Sequence, residues 1–413
     1  MAAVREFDVA IVGGGMVGAS CALALVGTDR RVALIEAIAH DSAAQPSFDE
    51  RTTALGNASR RIFEGLGVWN RLQPHAAAIR SIHVSQAGRF GFARLEADAQ
   101  GIEAFGYVIA NRVIGAALWD GLKGASNITL HVPARPHAVD IAKDVVTLTL
   151  IDARGAEERI RARLVVGADG AQSLVRTAAG IDARVEDYGQ RALVVNVAAD
   201  RPHEGRAYER FTAGGPLAVL PLHDGGFTVV WSANPERAQE LLALPDDAFL
   251  AALQRLFGWR AGRFVRSGRR ASYDLALTRA VASIGERSVL IGNAAQALHP
   301  VAGQGFNLGL RDGAMLAELL AADAEDAGGA ALLRQFSDWR ARDRRGVIRF
   351  TDGLVKLFGD ERRGVGVLCS LGLLLFDLMP PAKSALARVS AGFGGPTPRL
   401  ARGLGLRGLR TGG

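Results

Sequence analysis

Three glycine clusters, each beside a polar side chain, have residue types and spacing that could do chemistry. The first is Gly13-Gly14-Gly15-Met16-Val17-Gly18, with the carboxylate of Glu36 further along. Gly13 permits a tight turn, Gly15 lets the backbone approach a pyrophosphate, and Gly18 lets a helix pack closely on a strand. Glu36 can accept hydrogen bonds from both hydroxyls of an adenosine ribose, and its charge argues against a 2′-phosphate there. The second cluster is Gly167-Ala168-Asp169-Gly170, where Asp169 is either a ligand contact or a turn former. The third is Gly292-Asn293-Ala294-Ala295, followed by Pro300, Gly303, Gln304, Gly305 and Asn307. The chemistry indicated is capture of a dinucleotide, and the first cluster alone does not choose between NAD and FAD.

Elements that could position these clusters can be read around each one. Phe7 to Val12 is an apolar, β-branched run before the first glycines; Ala19 to Leu25 reads as a helix and Arg31 to Ile35 as the next strand, ending at Glu36. Leu164 to Val166 is a buried strand before the second cluster, and a strand from Val289 precedes the third. A long helix is expected from Phe306 to about Ala321. Between the second and third clusters, Ala192 to Val197, Leu217 to Leu222 and Phe227 to Trp231 are apolar runs broken by Gly-Gly and His-Asp-Gly turns, the pattern of an antiparallel sheet.

The glycine motif near the N-terminus, the central Asp-Gly motif and the late motif GNAAQALHPVAGQGFNLGLRD resemble, in order and spacing over essentially the whole chain, the three signatures of the flavin-dependent aromatic hydroxylases. The late motif is most similar to the ubiquinone-biosynthesis branch, the 2-polyprenyl-6-methoxyphenol hydroxylases. The resemblance implies a Rossmann-like α/β FAD-binding domain with an inserted β-sheet substrate domain and C-terminal helices. The expected FAD-binding domain is discontinuous, at 1–78, 96–185 and 275–345. Residues 79–95 and 186–274 would form the substrate sheet, and 346–413 a helical region with a basic tail. FAD would be held by Gly13, Gly15, Gly18, Glu36, Asp169, Asn293, Pro300, Gly303, Gln304, Gly305 and Asn307. Arg51, in the block Asp49 to Leu55, would sit near the flavin, and Asn111, in the stretch Gly106 to Arg112, beside the pyrophosphate.

Where much of the family has Asp and His, this chain has Asn293 and Gln296. An asparagine oxygen still accepts from a ribitol hydroxyl, with one negative charge fewer beside the flavin, which makes the flavin easier to reduce. In the family, NAD(P)H reduces FAD, O2 adds at C4a, and the resulting hydroperoxide hydroxylates an electron-rich ring. No acid or base can be assigned; His299 is the candidate for contacting a phenol, against the plainer reading of a histidine bonded within its loop. The resemblance thus implies hydroxylation of a lipophilic polyprenylated methoxyphenol with O2 and NAD(P)H. The competing readings are an FAD monooxygenase of a soluble aromatic substrate and a non-catalytic flavoprotein subunit of a quinone-synthesis assembly.

Composition limits the remaining classes. The chain has 413 residues, 49% of them hydrophobic, with a net charge of +7. That excludes a disordered chain and predicts two or three packed units. Cys21 and Cys369 cannot form a disulfide framework, and no spacing suits a metal. Almost all the cations are arginines spread along the chain, so nucleic acid is not an expected partner. A folded element beginning at Phe7 leaves no room for a secretory signal, and Val365 to Met379 is too short to span a bilayer, which predicts a cytoplasmic protein. A substrate with a prenyl tail would bring it to the inner face of the membrane, with arginines at 340–349 and 399–410 flanking that apolar segment. Association with other quinone-biosynthesis proteins and a homo-oligomer complete the expected partners.

Overall fold

The strand Arg5–Val12 is fully buried from Val9 onward. Its apolar run is continuous because it is a central parallel strand covered on both faces. In this computed structural model, which describes residues 4–42, 45, 51–298, 303–322, 325–358, 377, 379, 381, 383–384, 391–393 and 395–406, it pairs with Glu157–Gly167 on one side and Val32–Ile35 on the other. Ser288–Leu290 and Ile128–His131 extend that parallel sheet at its two sides. The antiparallel strands Ala134–Ile141 and Val146–Asp152 join it through Glu157–Gly167.

The helices Met16–Ala24 and Gln304–Ala322 pack on this sheet with unusually little between them. A Cβ at Gly309 would lie 2.9 Å from the Cα of Gly292, and one at Gly313 would lie 3.2 Å from the Cβ of Cys21. Burial pushes the Cys21 thiol up to about 12, so it is a packing group and not a nucleophile.

A second, nine-stranded sheet includes Ala183–Ala199, Arg206–Thr212, Gly215–Pro221, Phe227–Ala233 and Ala271–Ala280, with Ser81–Gln86 and Phe92–Glu96 at one edge. The helices Pro235–Ala243 and Asp246–Phe257 cover one of its faces through a core containing Leu193, Val195, Trp231 and Phe249. The opposite face turns toward a small three-stranded sheet, Thr52–Gly56, Gly106–Ala110 and Ala77–Ile79, and contacts it through Ala207, Ile79 and Val108.

The strands cross the boundaries expected at 185 and 275. Ala183–Ala199 and Ala271–Ala280 run through them without a break, because their extended antiparallel pairing ties the two layers together. The boundary at 346 likewise falls inside one helix, Ala330–Phe358. Of Val365 to Met379, only Asp377 and Met379 lie within the described residues, as does the basic tail only up to 406. No helix among the described residues is long and apolar enough to cross a membrane.

Candidate active site

Parallel register aligns the three glycine clusters. Ile35 pairs with Val12, Val12 with Gly167, and Gly167 with Leu290, so Glu36, Gly13, Ala168 and Gly292 all emerge from one edge of the sheet at the C-terminal ends of its strands. Ligands of open α/β sheets bind at such an edge.

Backbone contact there is too close for side chains. Gly13 has φ +100°, and a Cβ on it would lie 2.4 Å from the Ala168 carbonyl oxygen. A Cβ on Gly18 would lie 1.8 Å from the carbonyl oxygen of Gly13. Gly15 is the N-cap of Met16–Ala24 and offers no side-chain cap, which leaves the first-turn N–H groups open to a phosphate. Glu36 is held in place by two backbone donors: Gly14 N–H at 2.6 Å and Ile38 N–H at 2.9 Å. The Trp119 indole N–H donates to the Gly14 carbonyl at 3.2 Å and stacks on His40.

Asp169 fills the turn-forming role with one of its two carboxylate oxygens. Its Oδ2 accepts from Leu174 N–H at 2.7 Å and Val175 N–H at 3.2 Å, capping the helix Leu174–Ala178. Its Oδ1 is buried at the same edge with no hydrogen-bond partner. A buried acceptor without a partner is costly, and a ligand hydroxyl would satisfy it. Asn293 is exposed on the turn Gly292–Ala294, at the edge itself.

The other predicted residues lie beyond the third cluster or across from it. Gly303 has φ +59°, and a Cβ there would meet Ala54 at 3.2 Å. Gln304 opens the helix Gln304–Ala322 and is buried, while a Cβ on Gly305 would have Leu298 at 4.0 Å as its nearest neighbour. Asn307 is buried and spends its side chain on the protein. Its Oδ1 accepts from Gly56 N–H at 2.9 Å and Ser59 Oγ at 2.6 Å; its Nδ2 donates to Ala54 O at 2.8 Å and Gly303 O at 2.7 Å. Its amide is therefore a positioning group, which fastens the GQG turn to Thr52–Gly56. Asn111 is similar: its Oδ1 accepts from Thr53 Oγ1 at 2.7 Å, and its N–H donates to the Arg51 carbonyl at 2.8 Å. The Arg51 guanidinium lies 4.6 Å from the centre of the Tyr273 ring and so links the start of Thr52–Gly56 in the small sheet to the second sheet. His299 and Pro300 lie outside the described residues.

Sequence reasoning missed the support behind this edge. Gln296 is fully buried, and its Nε2 donates to Asp312 Oδ2 at 2.8 Å. Asp312 Oδ1 accepts from Arg340 Nε at 2.7 Å, and Asp343 accepts from Arg340 at 2.7 Å and from Arg311 at 2.9 Å. Burial alone would raise the Asp343 carboxyl, but the Arg311 and Arg340 guanidiniums outweigh it and hold that carboxyl below the usual range. Arg340 is thus turned inward, a correction to the reading of 340–349 as a surface cluster. The only sequence signal was Arg311-Asp312 at the end of the third motif, next to apolar residues on a helix. A pocket of about 370 Å³ lined by Trp231, Arg237 and Arg255 lies by the helices of the second sheet and takes no part in this site.

The open helix terminus, the glycine cradle, the two acceptors of Glu36 and the orphaned Asp169 oxygen fit FAD. The family described as FAD binding domain matches residues 6–351. Ubiquinone hydroxylase UbiL of Rhodospirillum rubrum is 38% identical over 97% of this chain and 93% of its own length. The chain belongs to the FAD-dependent monooxygenases of ubiquinone biosynthesis. Other relatives of this monooxygenase are the 3-demethoxyubiquinol 3-hydroxylase of Escherichia coli, 34% identical over 76% of this chain and 79% of that one, and the mitochondrial ubiquinone biosynthesis monooxygenase COQ6 of Caenorhabditis elegans, 28% identical over 92% and 94%. Its fold is shared with p-nitrophenol 4-monooxygenase PnpA from Pseudomonas putida DLL-E4, with a TM-score of 0.79 at 18% identity, covering 95% of this chain and 99% of that one. FAD is the cofactor of this monooxygenase, and NAD(P)H its co-substrate.

Proposed function

We propose that this monooxygenase hydroxylates the ring of a polyprenylated methoxyphenol in ubiquinone biosynthesis. The observation that carries the reading is the near full-length similarity to a ubiquinone hydroxylase in a chain whose three FAD motifs meet at one sheet edge. When bound, FAD supplies the electrophilic oxygen, drawn from O2 after reduction by NAD(P)H.

The protein's own contribution is to bind, orient and exclude water. The Gly13 to Gly18 turn and the terminus of Met16–Ala24 take the pyrophosphate, and Glu36 takes the adenosine ribose. Asn293 and Asp169 Oδ1 accept from ribitol hydroxyls. The first turn of Gln304–Ala322 would hold the flavin ring, and the positive end of its helix dipole would favour the negative charge of the reduced form. The face of the second sheet opposite its helices would help to exclude water, through a row that includes Val194, Ala218 and Val230. A prenyl tail resides in the bilayer, so the enzyme visits an anionic membrane surface, an approach its charge of +7 supports. Partner proteins of the same pathway would meet it there.

The test is purified holoprotein given NADH or NADPH, O2 and a methoxyphenol with a short prenyl tail. Substrate-dependent nucleotide oxidation with one oxygen atom gained by the phenol is expected. Oxidation that a water-soluble phenol supports equally well would overturn the prenylated-substrate reading. Absence of any coupled turnover would favour a non-catalytic flavoprotein.

A further inference from the structure

The face of the second sheet opposite Pro235–Ala243 and Asp246–Phe257 carries a carboxyl, that of Glu209, whose buried oxygen has no partner among the described residues. On Arg206–Thr212, Tyr208 belongs to the core under the helices, and Arg210 Nε donates to Leu256 O of Asp246–Phe257 at 2.9 Å. Alternation along a strand therefore turns Ala207, Glu209 and Phe211 to the opposite face. The register sets Val84 and Ala218 beside Glu209, with Val230 and Val194 next in line, so Glu209 is the one polar member of an otherwise apolar row.

The next row, through Ala207, Ile82 and Leu220, packs on Ile79, Val108 and Ala54, and Ala54 is the residue that Gly303 abuts. Glu209 thus stands one row, roughly 7 Å along the strand, from the wall that supports the GQG turn. Glu209 Oε1 is buried without a hydrogen-bond partner, while the residue as a whole is half-buried. An unpaired carboxyl in an apolar row costs stability and gains none, so a ligand donor is its natural partner.

We propose that Glu209 receives the substrate's ring hydroxyl, whose O–H donates to the carboxylate, and so selects phenols over aryl ethers. The proposal rests on the functional reading above and adds to it how the ring is held. Its neighbours on the face are Ala207 and Phe211 of its own strand, Val84 of Ser81–Gln86 and Ala218 of Gly215–Pro221, none titratable; the helix Ala330–Phe358, which touches Gly215–Pro221, brings Asp352, whose Oδ1 accepts from Tyr188 Oη at 3.2 Å. Burial alone pushes the Glu209 carboxyl up to about 7. Phenol binding accordingly strengthens as pH rises through about 7, where the carboxylate forms.

The experiment measures equilibrium binding to oxidised holoprotein, through the flavin absorbance, of a short-chain prenylated methoxyphenol and of its O-methyl ether, across pH. Wild type is expected to prefer the phenol by on the order of tenfold to a hundredfold above neutral pH, as a hydrogen bond to a charged acceptor supplies. Glu209→Leu is expected to erase that preference. Glu209→Gln, an isostere that leaves the fold intact, is expected to erase its pH dependence. FAD content and the nucleotide oxidation rate without substrate stay unchanged in both. An unchanged phenol preference in Glu209→Leu, or an unchanged pH profile in Glu209→Gln, overturns the proposal. Absent turnover in a wild type that still shows the Glu209-dependent preference overturns the hydroxylation reading alone. Wild type that binds neither ligand overturns both.

Discussion

The glycine-lined edge of the first sheet and the face of the second opposite Pro235–Ala243 and Asp246–Phe257 offer a ligand opposite kinds of contact. At the edge, Gly13 and Gly18 leave no room for a Cβ, and under the proposed function N–H groups, turns and the acceptors of Glu36 and Asp169 would do the binding. On the sheet the backbone is consumed by its ladder, so only side chains on alternate residues can meet a substrate. The lesson is that the steric demand of the glycine turns is local, whereas what a sheet face offers depends on which side the rest of the chain covers.

This difference can be broken or sharpened by substitution. The largest effect belongs to the edge: Gly18→Ala puts a Cβ against the Gly13 carbonyl, and the purified protein is expected to lose FAD, read as flavin released per chain. Arg340→Met tests the support behind the edge. It leaves the buried Asp312 without its ion-pair partner and Asp343 with Arg311 alone, and is expected to cost about 3–5 kcal/mol in chemical unfolding.

Asn307→Ala removes four hydrogen bonds that hold the GQG turn, for an expected loss of about 2 kcal/mol together with weaker FAD binding by titration. Were FAD affinity unchanged while stability fell, the turn would not be positioned from behind. For Asn293→Asp the expected change is smallest, a flavin midpoint potential lower by on the order of tens of millivolts, since a restored negative charge opposes reduction.

The sheet face gives the converse result in the stability of Glu209→Gln. The Glu209 carboxyl is raised from 4.5 to about 7, so the folded protein holds its proton over a range where the unfolded chain has released it. Wild-type stability therefore falls as pH rises from about 4.5 to about 7, and Glu209→Gln is expected to escape that fall. Unfolding midpoints of the two proteins, compared on either side of that window, check the sign.

The site was legible in the sequence where function needs only neighbours along the chain. Each glycine cluster is a turn between a strand and a helix, and its steric demand is met within a few residues. Side-chain partners were not legible. Asn307 reads as a cofactor contact, yet its amide bonds Ala54, Gly56 and Ser59 from the far end of the chain. Gln296 reads as a change beside the flavin, yet its amide is part of an ion-pair network with Asp312 and Arg340. Helix packing brings these residues together, and no local spacing encodes it.

By itself, the sequence determined the alternation of strand, glycine turn and helix, and with it the capture of a dinucleotide, because a missing Cβ and an uncapped helix terminus act locally. Only the tertiary structure decided that three distant turns share one edge, that Arg340 faces inward, and that Glu209 Oε1 is buried without a partner. Burial and pairing depend on what the rest of the chain lays over a residue, and a strand's alternating pattern does not say which face is covered.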